Sequence, residues 1–177
     1  MLARAPDARL CTVSAFGHSL QRENPAHKIV QLAPPADAED PRWLALRLRL
    51  WPEGTEADHR DGMADSLARG HFVMLALSPD GAAAGFVEAS KRHDYVNGTS
   101  SSPVAFLEGL YVEPNFRRKG VARSLVGAVE SWARAERLCE LASDSPLSNT
   151  DAHTAHRALG FDETERVVYF RREVTRR

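Results

Sequence analysis

Val112-Glu113-Pro114-Asn115-Phe116-Arg117-Arg118-Lys119-Gly120-Val121-Ala122 is the stretch on which the reading of this chain depends. Behind it, residues 104–112 form the most apolar run in the sequence and read as a buried strand, interrupted only by Glu108. Ahead of it, Val121, Leu125, Val129 and Trp132 recur at helical spacing with charges opposite, which predicts an amphipathic helix over residues 119–137. A strand that ends in a basic turn and feeds a long helix leaves the first helical amides pointing outward, a ready site for phosphate. Gly120 and Ala122 are small enough for a pyrophosphate to approach the backbone, and Arg117, Arg118 and Lys119 supply charge for a further phosphate. In isolation these residues read equally well as an ordinary basic helix start. The strand-turn-helix setting favours phosphate.

Outward from this unit, strands and helices alternate. Ile29, Val30 and Leu32 predict a first strand closed by Pro34 and Pro35, followed by a helix over residues 37–51 that Pro52 and Gly54 end. A weaker helix covers residues 57–68. Residues 72–77 and 83–90 flank the turn Ser78-Pro79-Asp80-Gly81 and predict an antiparallel hairpin. Past the long helix come a short strand at 140–143, a helix at 149–159 and a final long strand at 163–174. This order predicts an α/β fold of the mixed kind, a mixed central sheet flanked by helices. Residues 28–177 read as one domain, and residues 1–27 as a poorly ordered extension.

Bulk properties narrow the function. The 177 residues suffice for a substantial core, and 43% hydrophobic with 27% charged residues is ordinary for a soluble domain. A formal net charge of -1 gives no reason to expect nucleic acid, and no apolar run is long enough to span a bilayer. Cys11 and Cys139 lie far apart without metal-ligand spacing, so both read as incidental thiols in a reducing cytoplasm, and no metal is expected.

The segment Leu110-Tyr111-Val112-x-Pro114 followed by Arg117-x-x-Gly120-x-Ala122 resembles the acetyl-CoA signature of the GNAT superfamily of N-acetyltransferases. That resemblance implies a fold with acetyl-CoA in the cleft between the central strands. It implies that Leu110, Tyr111 and Val112 hydrogen-bond the pantetheine arm, and that the amides of Arg118, Lys119, Gly120, Val121, Ala122 and Arg123 take the pyrophosphate. Asn149 stands where the superfamily has an Asn facing that arm. Other stretches are similar to the aminoglycoside 6'-N-acetyltransferases in particular: Leu50-Trp51-Pro52, His93-Asp94-Tyr95-Val96-Asn97-Gly98, Phe106-Leu107-Glu108-Gly109, Ala142-Ser143-Asp144 and Leu159-Gly160-Phe161-x-Glu163-Thr164-Glu165-Arg166-Val167. The likeness spans about residues 28–174. It implies an acetyl-CoA-dependent enzyme in which Trp51, Tyr95, Glu108, Asp144 and Glu165 contact the antibiotic.

The residues bear on this independently. A carboxylate inside an apolar strand is costly unless paired or used, which singles out Glu108, and Asp144 stands where a second strand ends. Such carboxylates suit a substrate with several ammonium groups, and Trp51 and Tyr95 suit its sugar rings or its cations. The pattern alone reads Trp51 equally well as core packing and Glu165 as an ordinary surface residue. Direct attack by a neutral amine needs a carboxylate base, Asp144 or Glu108, with Asp144 preferred. A backbone N–H near Val112 would stabilise the oxyanion. Where many relatives place a Tyr as general acid this chain has His156, so the acid is open. The final strand has no turn residue and leaves an edge, from which a homodimer is expected. Two rivals are a GNAT enzyme for a polyamine or protein amine, and a non-catalytic coenzyme A-binding module.

Overall fold

Five strands pair in chain order in a computed structural model that describes residues 30–174: β1 (Gln31–Ala33), β2 (Phe72–Leu77), β3 (Ala83–Arg92), β4 (Val104–Val112) and β5 (Leu141–Ser143). The first three pairings are antiparallel and the β4–β5 pairing is parallel. The β2–β3 hairpin closes on the expected turn, where Gly81 N–H donates to Ser78 O at 2.8 Å and Ser78 N–H to Ala82 O at 2.9 Å. The described chain divides into two compact units, one ending at Ser143 and one beginning at Asp144.

The register of β3 on β4 contains a step. Glu88 pairs with Gly109, but Ala89 pairs with Leu107, so Glu108 is an extra residue in β4. Such a bulge breaks strict alternation and turns two successive residues toward one face. Here Glu108 and Gly109 both face the side that carries Ser90 and Trp51. A regular strand would send them to opposite sides.

Two helices cover that face. In α1 (Pro41–Leu50), Asp40 caps the first turn by accepting from Arg42 N–H at 2.9 Å, and Pro41 sits at the first helical position, where no N–H is needed. In α2 (Glu56–Ala68), Thr55 and Asp58 form a capping box. Trp43, Leu44 and Leu46 of α1 and Met63 of α2 pack on Val73, Leu75 and Phe86. Burying each of the larger side chains contributes roughly 1.5–3 kcal/mol. On the opposite face, Ala133 of α3 (Val121–Ala135) and Leu138 cluster with Ala105.

The elements agree with the sequence reading except at their ends and at the C-terminus. The first helix begins at Pro41 rather than residue 37, because the cap at Asp40 and the proline after it fix the start. Residues 163–174, expected as a final strand, form none. A strand exists only through ladder bonds to a neighbour, and an extended apolar run without turn residues does not supply one. Val168, Tyr169 and Phe170 are 77%, 81% and 94% exposed. Cys139 is disulfide-bonded, which corrects its reading as an incidental thiol, while Cys11, Ile29 and the expected extension over residues 1–27 lie outside the described residues. No helix among the described residues is long and apolar enough to cross a membrane.

Candidate active site

The turn between β4 and α3 has the left-handed backbone and the open helix start at which anions can be bound. After a 3-10 turn at Pro114–Phe116, Arg118 (φ 60°) and Gly120 (φ 83°) both take left-handed backbone. For Arg118 that conformation costs on the order of 1 kcal/mol, and such strain gathers where a turn must hold one shape. The helical ladder starts only with Ser124 N–H to Gly120 O at 3.0 Å, so the amides of Val121 and Ala122 precede it and lie at the positive end of the helix dipole. Arg118, Lys119 and Arg123 are exposed there. Arg117 is exposed too, but its Nε donates to Val112 O at 2.9 Å and its guanidinium lies 5.8 Å from the Tyr111 ring, which ties the turn to the strand end.

On the strand side, pairing with β5 stops at Leu107–Ser143. Among the described residues no strand pairs with β4 beyond that point on this side, so the edge from Glu108 through Leu110, Tyr111 and Val112 is open to a ligand's hydrogen bonds. Leu110, Tyr111 and Val112 are each half-buried.

Glu108 is half-buried and paired. One carboxylate oxygen accepts from Ser90 Oγ at 2.5 Å and Arg92 Nε at 3.1 Å; the other accepts from Arg92 Nη2 at 2.7 Å. The Arg92 guanidinium itself stacks 3.4 Å above the Phe106 ring. Ser90, Arg92, His93, Asp94, Glu108 and His71 line one cleft of roughly 770 Å³, within the usual size of a small-molecule site. Tyr95, next to Asp94, is 76% exposed.

Trp51 serves packing and surface at once. It is the C-terminal cap of α1, contacts the Phe86 ring edge-on at a centroid distance of 6.1 Å, and remains half-exposed. A Cβ on Gly109 would stand 2.7 Å from its Cη2. The bulge therefore sets the indole directly beside Glu108.

In the second unit, Asp144 and Glu165 are exposed. Asn149 caps α4 (Thr150–Leu159), its Oδ1 accepting from Ala152 N–H at 3.1 Å, so its oxygen serves the helix start and only its amide group remains for a ligand. His156 donates from Nδ1 to Ala152 O at 2.7 Å and meets Phe161 edge-on at 5.2 Å.

Four residues of the first unit escaped the sequence reading: Ser90 and Arg92, which hold Glu108, and the buried pair Arg47–Glu88. Arg47 Nη1 donates to both Glu88 oxygens at 2.6 Å, and Trp43 Nε1 donates to Glu88 at 2.6 Å. Burial pushes the Glu88 carboxyl above its ordinary value, against the opposing pull of Arg47 and Trp43. The signal was present. Glu88 is a lone carboxylate in a buried apolar strand, as Glu108 is.

The sequence model of the acetyltransferase (GNAT) family matches residues 38–161. An aminoglycoside N(6')-acetyltransferase type 1 from Stenotrophomonas maltophilia is 52% identical over 143 residues, covering 80% of this chain and 91% of that protein. One from Acinetobacter baumannii is 44% identical over 146 residues, covering 82% and 99%. The crystal structure of the aminoglycoside antibiotic 6'-N-acetyltransferase AAC(6')-Ih from Acinetobacter baumannii superposes with a TM-score of 0.78 at 43% identity, covering 82% of this chain and 99% of that one. AAC(6')-Iy in complex with the bisubstrate analogue CoA-S-monomethyl-acetylneamine superposes with a TM-score of 0.76 at 41% identity, over 82% and 99%.

Proposed function

The chain belongs to the acetyltransferase (GNAT) family, and on that premise we propose that it transfers the acetyl group of acetyl-CoA to the 6'-amine of an aminoglycoside antibiotic. The observation that carries acyl transfer is the β4-turn-α3 unit, in which an open strand edge runs into a left-handed turn and a helix start without interruption. The edge suits the amide-bearing pantetheine arm. The turn and Arg117, Arg118, Lys119 and Arg123 suit the pyrophosphate and a further phosphate. Residues 28–177 act as one catalytic domain in the cytoplasm. That setting rests on the cofactor, since the disulfide at Cys139 removes the argument from thiols.

The reaction is a direct displacement. The amine lone pair attacks the thioester carbon, the carbonyl oxygen takes the charge, collapse breaks the C–S bond, and the surplus proton on nitrogen passes to the leaving thiolate, giving the N-acetyl product and coenzyme A. The acceptor arrives as an ammonium group, so a base must first take its proton. Glu108 is already engaged by Ser90 and Arg92, which fixes its position and makes it the poorer base, so it holds the acceptor through its remaining lone pairs while the exposed Asp144 takes the proton. Trp51, Tyr95 and Glu165 complete the acceptor contacts. The dimer expected from the C-terminal segment is part of the same proposal: Val168, Tyr169 and Phe170 would pair with a second copy, and a monomer in light scattering at micromolar concentration would count against it.

Thiol release from acetyl-CoA tests the reaction, with aminoglycosides bearing a 6'-amine, analogues bearing a 6'-hydroxyl, spermidine and a peptide as acceptors. Turnover confined to the 6'-amines is expected. Turnover with spermidine or peptide alone would overturn the substrate but keep the chemistry.

A further inference from the structure

We infer that Arg47 is a positioning residue for the acceptor: locked from below by Glu88, it fixes the indole of Trp51 in the wall of the site. The inference rests on the reading of Trp51 as an acceptor contact. Buried ion pairs contribute little net stability, so this one calls for another reason to exist. Its geometry supplies one. A guanidinium pairs best through a two-pronged fork, yet here Nη1 alone meets both Glu88 oxygens, and Nε is buried without a hydrogen-bond partner among the described residues. What the group gains is a stacked position, with its central carbon 4.8 Å from the centre of the Trp51 ring.

The surroundings are shaped to that arrangement. Glu88 is 3% exposed, and its Oε1 accepts from Trp43 Nε1 at 2.6 Å as well as from Arg47, which restrains the anchor. Gly62 of α2 leaves room for the guanidinium, since a Cβ there would stand 2.9 Å from Arg47 Nη2. The Trp51 backbone is pinned at both groups: its N–H donates to Arg47 O at 2.9 Å, and its carbonyl meets His59 Nε2 at 3.0 Å. Gly109 then seats the ring edge beside Glu108. A wall held this way costs the acceptor little ordering entropy on binding.

A double-mutant cycle in the full-length enzyme decides the matter. Arg47→Met should raise KM for a 6'-amine aminoglycoside about tenfold while kcat and the KM for acetyl-CoA stay within about twofold. In a Trp51→Ala background the same change should alter the acceptor KM by less than about twofold. An equal effect in both backgrounds, or a loss of thermal stability with no change in KM, overturns the inference. If Arg47→Met does not fold, Arg47→Lys takes its place, keeping the charge beside Glu88 but losing the planar stack. If the wild-type enzyme acetylates none of the aminoglycosides, the proposed substrate falls by that result alone. Positioning is then read from the Trp51 fluorine resonance of 5-fluorotryptophan-labelled protein. It should shift and broaden in Arg47→Lys, and an unchanged resonance sinks the inference.

Discussion

A single methyl group added at Gly85 should loosen both the fold and the cofactor site. Gly85 pairs with Val112, and a Cβ there would stand 2.5 Å from Tyr111 O and 3.2 Å from Val112 Cα. Both neighbours are backbone, so neither can rotate away. A carbon settles near about 3.3 Å from a carbonyl oxygen, so Gly85→Ala must part the strands locally by roughly 0.8 Å. The bond from Glu113 N–H to Ala84 O, 2.9 Å long, lies beside the displaced pair and stretches with it. Overpacking of this kind costs about 1–3 kcal/mol, which for a chain of this length lowers Tm by roughly 2–12 °C. The same parting moves residues 110–113, the proposed pantetheine edge and the lead into the turn, so acetyl-CoA affinity should fall together with stability. Urea unfolding gives the first quantity and calorimetric titration with acetyl-CoA the second. A Gly85→Ala protein with an unchanged unfolding midpoint would show that the strands can yield freely here and would refute the reasoning.

Other expectations concern single groups. Asp40→Ala should cost about 1 kcal/mol through loss of the α1 cap. Hydrogen bonds from Arg42 hold the Asp40 carboxyl down to about 2 from its ordinary 3.8. A lowered folded-state value stabilises above the ordinary one, so the gap between wild type and Asp40→Asn in urea midpoint should close as pH falls from about 4 toward about 2. Gly120→Ala places a side chain at φ 83°, costs about 1–2 kcal/mol, and should raise KM for acetyl-CoA more than KM for the acceptor. Asp144→Asn should lower kcat by about 100-fold or more at neutral pH and steepen its rise toward high pH, where the amine loses its proton unaided, whereas Glu108→Gln should act mainly on acceptor KM. Equal kcat losses in the two would reverse the roles given to them.

The parts that were legible in the sequence are those governed by local chemistry. The apolar strand, the Ser78–Gly81 turn, the helical stripe from Val121 and the breaker Pro52 each declare themselves within a few residues. What escaped depends on distant partners. Nothing near Glu108 tells that Arg92 and Ser90 take its oxygens, and nothing near Arg47 names Glu88, forty-one positions away, as its anchor. Residues 163–174 miscarry for the same reason, since their composition is that of a strand and a strand is a property of two segments. Trp51 shows the opposite case: of the two readings held equal from the pattern, packing is seen in its contact with Phe86, and the half-exposed face is where acceptor contact is proposed.

The step at Glu108 has a consequence for how this enzyme tolerates genetic change. Its two-against-one pairing with β3 depends on the number of residues in β4, not on the identity of the one at the step. Codon replacement at 108 should therefore yield folded proteins with the indole of Trp51 still seated over Gly109, differing in activity alone. Loss of the codon would keep the strand pairs as well. It would make Leu107 and Gly109 successive partners of Ala89 and Glu88, restore regular alternation with every other pair kept, and remove the carboxylate that Ser90 and Arg92 hold. Selection can thus vary or remove the carboxylate at that position without disturbing the strand pairs on either side of it.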